Sequence, residues 1–170
     1  MSVRERLTLA GSANGDSPHG ARTVLVVDDY PAVLAWASRA FARAGWTVLT
    51  ATDGRDALDR WHTAREDGTP VRVLVTDLNL PDWGGAGLVA RLRAEDADLP
   101  VLALHAGEGD VVTWHASLMN RTAFFQKPVR AAILIETAAA LVASCDQVAS
   151  ARGDDVCPVE PRRGEESAAR

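Results

Sequence analysis

The chain has 170 residues, of which 47% are hydrophobic and 24% charged, and its formal net charge is −5. This is the composition of one ordinary globular domain with tails, and the negative charge argues against a bulk electrostatic grip on nucleic acid. Two cysteines are too few for a disulfide scaffold, and no apolar run approaches the roughly 20 residues of a membrane span, so we expect a cytoplasmic protein.

Composition divides the chain into three parts. Residues 1–20 are rich in Gly, Ser, Asn and Asp and show no apolar period, which predicts a flexible leader. Residues 146–170 are polar and charged and contain prolines, which predicts a disordered tail. The predicted domain is the segment between them, residues 21–145.

Within this domain, short apolar or β-branched runs alternate with stretches of helical spacing. Such alternation predicts an α/β fold with a doubly wound five-stranded parallel sheet and helices on both faces. The predicted strands are residues 23–27, 46–51, 71–76, 101–105 and 123–126. The predicted helices have apolar faces at residues 34–41, 57–61, 88–92, 111–119 and 133–142, and the fourth of these patterns is the poorest.

Polar residues stand where four of the predicted strands end. Asp28 and Asp29 follow the first strand and Asp77 follows the third, while His105 ends the fourth and Lys127 follows the fifth. Carboxyl ends of parallel strands share one edge of the sheet, so these side chains are expected to converge there. Three carboxylates offer hard oxygen ligands, which suit Mg²⁺. The acidic pair has a simpler alternative as a helix cap or solvated turn.

Asp77 is the candidate nucleophile of this cluster. A carboxylate beside a divalent cation and opposite a lysine is a good phosphoryl acceptor, because both cations neutralise the transferring oxygens. Of the 18 basic residues only Lys127 is a lysine, and it lies in this pattern. The simpler alternative is that Asp77 only starts a turn.

The segments VLVVDDYP, VLVTDLNLPDWGG, PVLALHA and FFQKPV, in this order, resemble the receiver domains of two-component response regulators over residues 21–144. The resemblance implies a flavodoxin-like (βα)5 receiver fold with Asp77 as the phosphoacceptor. It also implies that Asp28 and Asp29 hold Mg²⁺ together with Asp77 and the backbone carbonyl of Asn79. Lys127 would pair with Asp77 at rest and with a phosphoryl oxygen afterwards.

Three further positions take their expected roles from the same resemblance. Phe124 occupies the aromatic switch position three residues before the lysine. Gly85 matches the glycine that closes the loop after the acceptor strand, and Pro128 matches a Lys-Pro peptide that is typically cis.

The chain departs from the receiver pattern at two places. His105 stands where the family has Thr or Ser, whose hydroxyl donates a hydrogen bond to the phosphoryl group. The imidazole either substitutes as a donor in the switch or turns out to solvent and weakens it. The second departure is Asn120-Arg121 before the fifth strand, where Asn120 suits a left-handed helix end. Trp114 and Arg121 also alter the face of helix four, strand five and helix five, the family's usual output surface.

The leading functional hypothesis is a stand-alone, phosphorylatable signalling switch and not an ordinary enzyme. Its partners would be a histidine kinase or histidine-containing phosphotransfer protein and a downstream protein on the output surface, without direct nucleic-acid or membrane contact. One alternative is a degenerate receiver that binds partners without being phosphorylated. A distant alternative is a haloacid-dehalogenase-like phosphatase, which requires a second acid where this chain has Asn79.

Overall fold

The computed structural model describes residues 22–107 and 119–152, and in these ranges five strands alternate with four helices. The elements are β1 (Thr23–Val27), α1 (Pro31–Arg43), β2 (Thr47–Ala51), α2 (Gly54–Glu66), β3 (Val71–Asp77), α3 (Gly84–Glu95), β4 (Val101–His105), β5 (Thr122–Gln126) and α4 (Ala131–Arg152). The five predicted strands are confirmed to within one residue at each end. Most of the predicted fourth helix, including Trp114, lies outside the described residues.

The strands form one parallel sheet in the order β2-β1-β3-β4-β5. The chain therefore winds outward in two directions from the central pair β1 and β3. In such a sheet the connections leave a crevice at the carboxyl ends of the strands, where the order reverses. The predicted doubly wound, five-stranded parallel sheet is confirmed, with the strand order of flavodoxin-like folds.

Two apolar layers cover the sheet. Leu25 and Val27 of β1 face one layer, in which α2 and α3 bury Trp61 and Leu88. Val24 and Val26 of the same strand face the other layer, in which α1 and α4 bury side chains such as Phe41 and Leu134. Because both faces are covered, β1 is a continuous apolar run and not an alternating one.

Local chemistry fixes the ends of the first two helices. Pro31 occupies the start of α1, where its missing N–H costs nothing, and Gly45 follows the helix at φ +81°. Asp53 caps α2 by accepting a hydrogen bond from the backbone N–H of Asp56. Both helices therefore begin directly beyond the carboxyl ends of β1 and β2.

The last helix extends beyond its predicted limits. It begins at Ala131 and continues to Arg152, so residues 146–152, assigned to the tail from composition, belong to α4. Asp146 in this extension forms an ion pair with Arg72 of β3. Residues 1–21 and 153–170 lie outside the described residues.

The apolar character of α4 has an explanation in the fold. By length and composition alone, Ala131–Val148 is apolar enough to cross a membrane, with a mean hydropathy of 1.5, a feature that the sequence analysis overlooked. The buried 17% of this stretch, Leu134, Ala138 and Val142, packs in the apolar layer shared with α1 and accounts for part of this apolar character.

Candidate functional site

The predicted site residues of three strands meet at the carboxyl edge of the sheet. The Lys127 ammonium lies 2.7 Å from Oδ2 of Asp28 and 3.3 Å from Oδ1 of Asp77. Asp28 is 1% exposed and Asp77 8% exposed, so the lysine is paired with two buried carboxylates. The structure thus brings together residues that are separated by up to 99 positions in the chain.

Backbone hydrogen bonds hold these side chains in place. The N–H of Asp28 donates to the carbonyl of Ala51 at 3.2 Å, and Oδ1 of Asp28 accepts from the N–H of Tyr30 at 2.9 Å. The N–H of Lys127 donates to the carbonyl of His105 at 2.8 Å, and the Lys127–Pro128 peptide is cis. The backbone of Lys127 is therefore hydrogen-bonded to the end of β4, and its side chain extends from there to Asp28 and Asp77.

Asp29 completes an acidic cluster. Carboxylate oxygens of Asp28, Asp29 and Asp77 lie within 4.8 Å of one another, and Asp29 is exposed to solvent. Three carboxylates face one lysine, so the cluster has an excess of negative charge and consists of hard oxygen donors. A small divalent cation such as Mg²⁺ fits both features. Asn79, the fourth expected ligand, lies in the loop two residues beyond Asp77.

Burial dominates the electrostatics of the acceptor. It raises the pKa of Asp77 above its ordinary range, Lys127 partly opposes this, and the neighbouring Asp28 adds to it. Burial alone would lower the pKa of Lys127, but its hydrogen bond and attraction to Asp28 raise it overall. Without a metal ion, the ionised form of Asp77 is therefore unfavourable in the folded protein, and a bound cation would stabilise it.

This cost predicts how stability depends on pH. An acid whose pKa is raised by folding binds more protons in the folded than in the unfolded state, so stability falls as pH rises through that window. In metal-free buffer we expect Asp77→Asn to have a higher free energy of unfolding than wild type at pH 7. As the pH rises from about 4 to 7, the free energy of unfolding should also fall less in Asp77→Asn than in wild type. Urea unfolding at several pH values in this range measures the free energy of unfolding and its pH dependence. A less stable Asp77→Asn at pH 7 would contradict the conclusion that burial disfavours the charged form of Asp77.

Gly85 lies directly against the acceptor. Its N–H donates to the carbonyl of Leu78 at 2.8 Å, and a Cβ at this position would lie 2.4 Å from the carbonyl oxygen of Asp77. The backbone of α3 therefore approaches the end of β3 more closely than any side chain allows. This contact closes the loop that follows the acceptor, in agreement with the expected place of Gly85.

His105 is buried at the end of β4. The residue is 8% exposed, and its Nδ1 lies 2.9 Å from the carbonyl oxygen of Gly107. The expectation that the ring turns out to solvent is therefore wrong. Because a carbonyl only accepts, this contact assigns a hydrogen to Nδ1, and in the neutral form of the ring Nε2 then has a lone pair and no hydrogen to donate.

Phe124 lies on the same face of the sheet as His105. It pairs in register with Ala103, two residues before His105, and it is half-buried against the apolar layer beneath α3. The aromatic side chain is therefore next to the end of β4, where a switch residue is expected. Its role as a switch stays a prediction.

The loop between β3 and α3 has an anchor that the sequence analysis missed. The Asp82 carboxylate accepts hydrogen bonds from the backbone N–H groups of Gly54 and Arg55, at 3.1 Å each. Burial is the largest single influence and opposes its ionisation, but the backbone N–H donors together, including those of Trp83 and Gly54, lower the pKa of Asp82 overall. Only an Asp after Pro81 marks this contact in the sequence, and that pattern is common in ordinary turns.

The other singled-out residues lie away from the site. His62 pairs with Glu95 at 2.9 Å on the surface shared by α2 and α3. Cys145 is half-buried, and its Sγ lies 2.5 Å from an Arg121 nitrogen, while burial raises the pKa of the thiol. Arg121 itself adopts the left-handed conformation, at φ 51°, that was expected of Asn120. Outside the described residues are His19, His115, Cys157, Arg162 and Arg163.

Known proteins share sequence and fold with this chain. Residues 24–139, more than half of the chain, match the family described as response regulator receiver domain. A probable transcriptional regulatory protein, TcrX of Mycobacterium tuberculosis, is 42% identical over 84 residues, which are 49% of this chain and 34% of that protein. The regulatory protein PhoP for alkaline phosphatase synthesis in Bacillus subtilis is 32% identical over 85 residues, 50% of this chain and 33% of PhoP. The matches thus span about a third of each relative.

Solved structures show the same fold. A response regulator receiver domain protein from Clostridium thermocellum superimposes with a TM-score of 0.65 at 20% identity, covering 75% of this chain and 98% of that one. The chemotaxis response regulator CheY4 of Vibrio cholerae gives a TM-score of 0.61 at 26% identity, covering 71% and 98%. The fold therefore accounts for nearly the whole length of each of these structures.

Proposed function

The chain belongs to the response regulator receiver domain family, and from this membership we propose that it is a phosphoryl-accepting switch of two-component signalling, phosphorylated on Asp77. Receiver domains of this family are signalling proteins and not classical enzymes. The observation that carries the proposal is the convergence of Lys127 with Asp28 and Asp77 at the carboxyl edge of the sheet.

In the proposed reaction, a carboxylate oxygen of Asp77 attacks the phosphorus of a phosphohistidine in line with the leaving nitrogen. The O–P bond of an acyl phosphate forms, the P–N bond breaks, and the bonding electrons stay on the imidazole of the donor. Lys127 then exchanges its contact with Asp77 for a phosphoryl oxygen and keeps its contact with Asp28. This keeps a positive charge beside the oxygens throughout the transfer.

Asp28, Asp29, Asp77 and the backbone carbonyl of Asn79 would hold Mg²⁺. When bound, Mg²⁺ neutralises charge on the phosphoryl oxygens and on the acidic cluster. The excess of carboxylates over lysine, with oxygens of Asp28, Asp29 and Asp77 within 4.8 Å of one another, supports this ligand set.

The proposed partners follow from this chemistry. A cytoplasmic histidine kinase or histidine-containing phosphotransfer protein would supply the phosphoryl group. A downstream protein would bind the surface formed by β5, the last helix α4 and the helix predicted at residues 111–119. TcrX and PhoP are named as transcriptional regulatory proteins, and we propose that phosphorylation of this chain likewise controls a regulatory response. We propose no direct contact with nucleic acid or membrane for the described domain.

Beryllofluoride, a mimic of the acyl phosphate, tests the proposal against the degenerate-receiver alternative. We expect it to bind only with Mg²⁺ and to shift backbone amide NMR signals at Asp77, Lys127 and Phe124. Binding without Mg²⁺ dependence, or no binding by either wild type or a His105→Thr variant, would favour a phosphorylation-independent adaptor.

His105→Thr is expected to tighten beryllofluoride binding. With Nδ1 donating to the Gly107 carbonyl, the neutral form of the His105 ring has no second N–H for the mimic, whereas a threonine hydroxyl can rotate to donate to it. One hydrogen bond to a charged group is worth about 1.5 kcal/mol, which corresponds to an affinity gain of about tenfold. The exposed His62→Thr is the matched control and should leave the affinity unchanged. Weaker binding by His105→Thr would show that the imidazole itself donates.

A further inference from the structure

Asp82 joins the loop after the acceptor strand to the start of α2. Its two carboxylate oxygens accept from the N–H groups of Gly54 and Arg55, the first two residues of that helix. The first N–H groups of a helix have no partner within the helix, so an acceptor from elsewhere in the fold satisfies them. Asp53 accepts from the next free N–H, that of Asp56, from within the helix's own chain segment. Two carboxylates thus cap one helix, but only Asp82 belongs to the β3–α3 loop.

Apolar packing reinforces this connection. A Cβ at Gly54 would lie 3.0 Å both from Oδ2 of Asp82 and from Cε3 of Trp83, so the absence of a side chain there lets the loop approach. The Arg91 guanidinium also packs over the Trp83 ring, 4.0 Å from its centroid. The loop is therefore held to the start of α2 by hydrogen bonds and by close packing of an aromatic ring.

The same corner of the fold also holds the loop after β1. The carbonyl of Ala51, at the end of β2, accepts the N–H of Asp28 at 3.2 Å. Residues 51–55, which we term the β2–α2 corner, thus contact both segments that carry the expected metal ligands. Asp28 and Asp29 are on one side, and the loop with Asn79 is on the other.

We propose that Asp82 is a positioning residue for the metal site, which acts by fastening the loop that carries the Asn79 carbonyl to the β2–α2 corner. The inference rests on the proposed function, because it assumes that this site binds Mg²⁺. A backbone carbonyl has no side-chain rotamer to adjust, so its place depends on how the loop is held. Leu78 and Leu80 are buried and secure the near end of the loop, and Asp82 secures its far end.

The test compares Asp82→Ala with Asp53→Ala. Both variants remove one carboxylate from the start of α2, and each is expected to lower the stability to a similar extent, as the loss of a helix cap does. Only Asp82→Ala also releases the loop. We expect it to weaken Mg²⁺ binding about tenfold, the lower end of what the loss of an outer-shell partner costs, while Asp53→Ala stays within twofold of wild type. Mg²⁺ titrations followed by backbone amide shifts at Asn79 and Leu80 give these affinities.

Hydrogen exchange in metal-free protein gives a second readout. The Gly85 N–H, which closes the same loop, should exchange faster in Asp82→Ala and at the wild-type rate in Asp53→Ala. Asp82→Asn keeps one accepting oxygen and should fall between Asp82→Ala and wild type in both measurements. Equal Mg²⁺ affinities and equal Gly85 exchange in Asp82→Ala and Asp53→Ala would overturn the inference. A wild-type protein that shows no Mg²⁺-dependent shifts would instead contradict the proposed function.

Discussion

Asp77→Asn protein is expected to gain no phosphoryl group from a small-molecule donor such as phosphoramidate. The amide that replaces the carboxylate is a poor nucleophile and cannot form the acyl phosphate. Asp28 is tied to Lys127 and to the Tyr30 N–H, so it does not replace Asp77 as acceptor. Intact-protein mass spectrometry after incubation with Mg²⁺ and the donor measures the effect, which should be complete.

The control for this loss is Asp59→Asn, which makes the same chemical change on the exposed face of α2. It should be phosphorylated at the wild-type rate. Urea denaturation of Asp77→Asn in the phosphorylation buffer should give a midpoint no lower than that of wild type, which separates the loss of phosphorylation from unfolding. Full phosphorylation of Asp77→Asn would show that the phosphoacceptor is a different residue.

Gly85→Ala is expected to lose about 3 kcal/mol of stability, the upper end of the range for overpacking. The added methyl carbon would lie 2.4 Å from the Asp77 carbonyl oxygen and 3.0 Å from the Leu78 Cα, and both are backbone atoms that no rotamer change can move. The start of α3 would have to shift away from the end of β3. Urea denaturation should show a lower midpoint with an unchanged slope.

Gly107→Ala provides the matched control, because a Cβ at that position meets nothing within 4 Å. It should stay within about 0.5 kcal/mol of wild type, the usual range for a surface substitution. Equal stabilities of the two alanine variants would mean that the close approach at Gly85 relaxes without cost. A loss confined to Gly85→Ala would confirm that the acceptor strand and α3 share a rigid contact.

The fold and the centre of the site could be predicted because both depend on strong patterns. A strand covered on both faces is apolar throughout, as β1 is, and its end is marked where the polar pair Asp28-Asp29 begins. Parallel pairing then places the ends of β1, β3 and β5 at one edge, so Asp28, Asp77 and Lys127 are expected at the same edge of the sheet. The positions of these residues needed no knowledge of their hydrogen bonds.

Other features depended on contacts that leave little trace in the sequence. The hydrogen bonds of Asp82 to the start of α2 join segments 27 and 28 residues apart, and nothing local distinguishes that aspartate from a turn residue. Polar composition suggested a tail after residue 145, but Asp146 pairs with Arg72 and the helix continues. The ring of His105 is held by the carbonyl of Gly107. Every residue has a backbone carbonyl, so residue types alone do not indicate which one would hold this ring.

The central claim is that Asp77 accepts a phosphoryl group in a Mg²⁺-dependent reaction. Its most direct test is to incubate the wild-type protein with phosphoramidate, with Mg²⁺ or with a chelator, and to locate the phosphoryl group by peptide mass mapping. We expect one phosphoryl group per chain, on the peptide that contains Asp77, and only with Mg²⁺. No uptake under either condition, or uptake at a different residue, would contradict it.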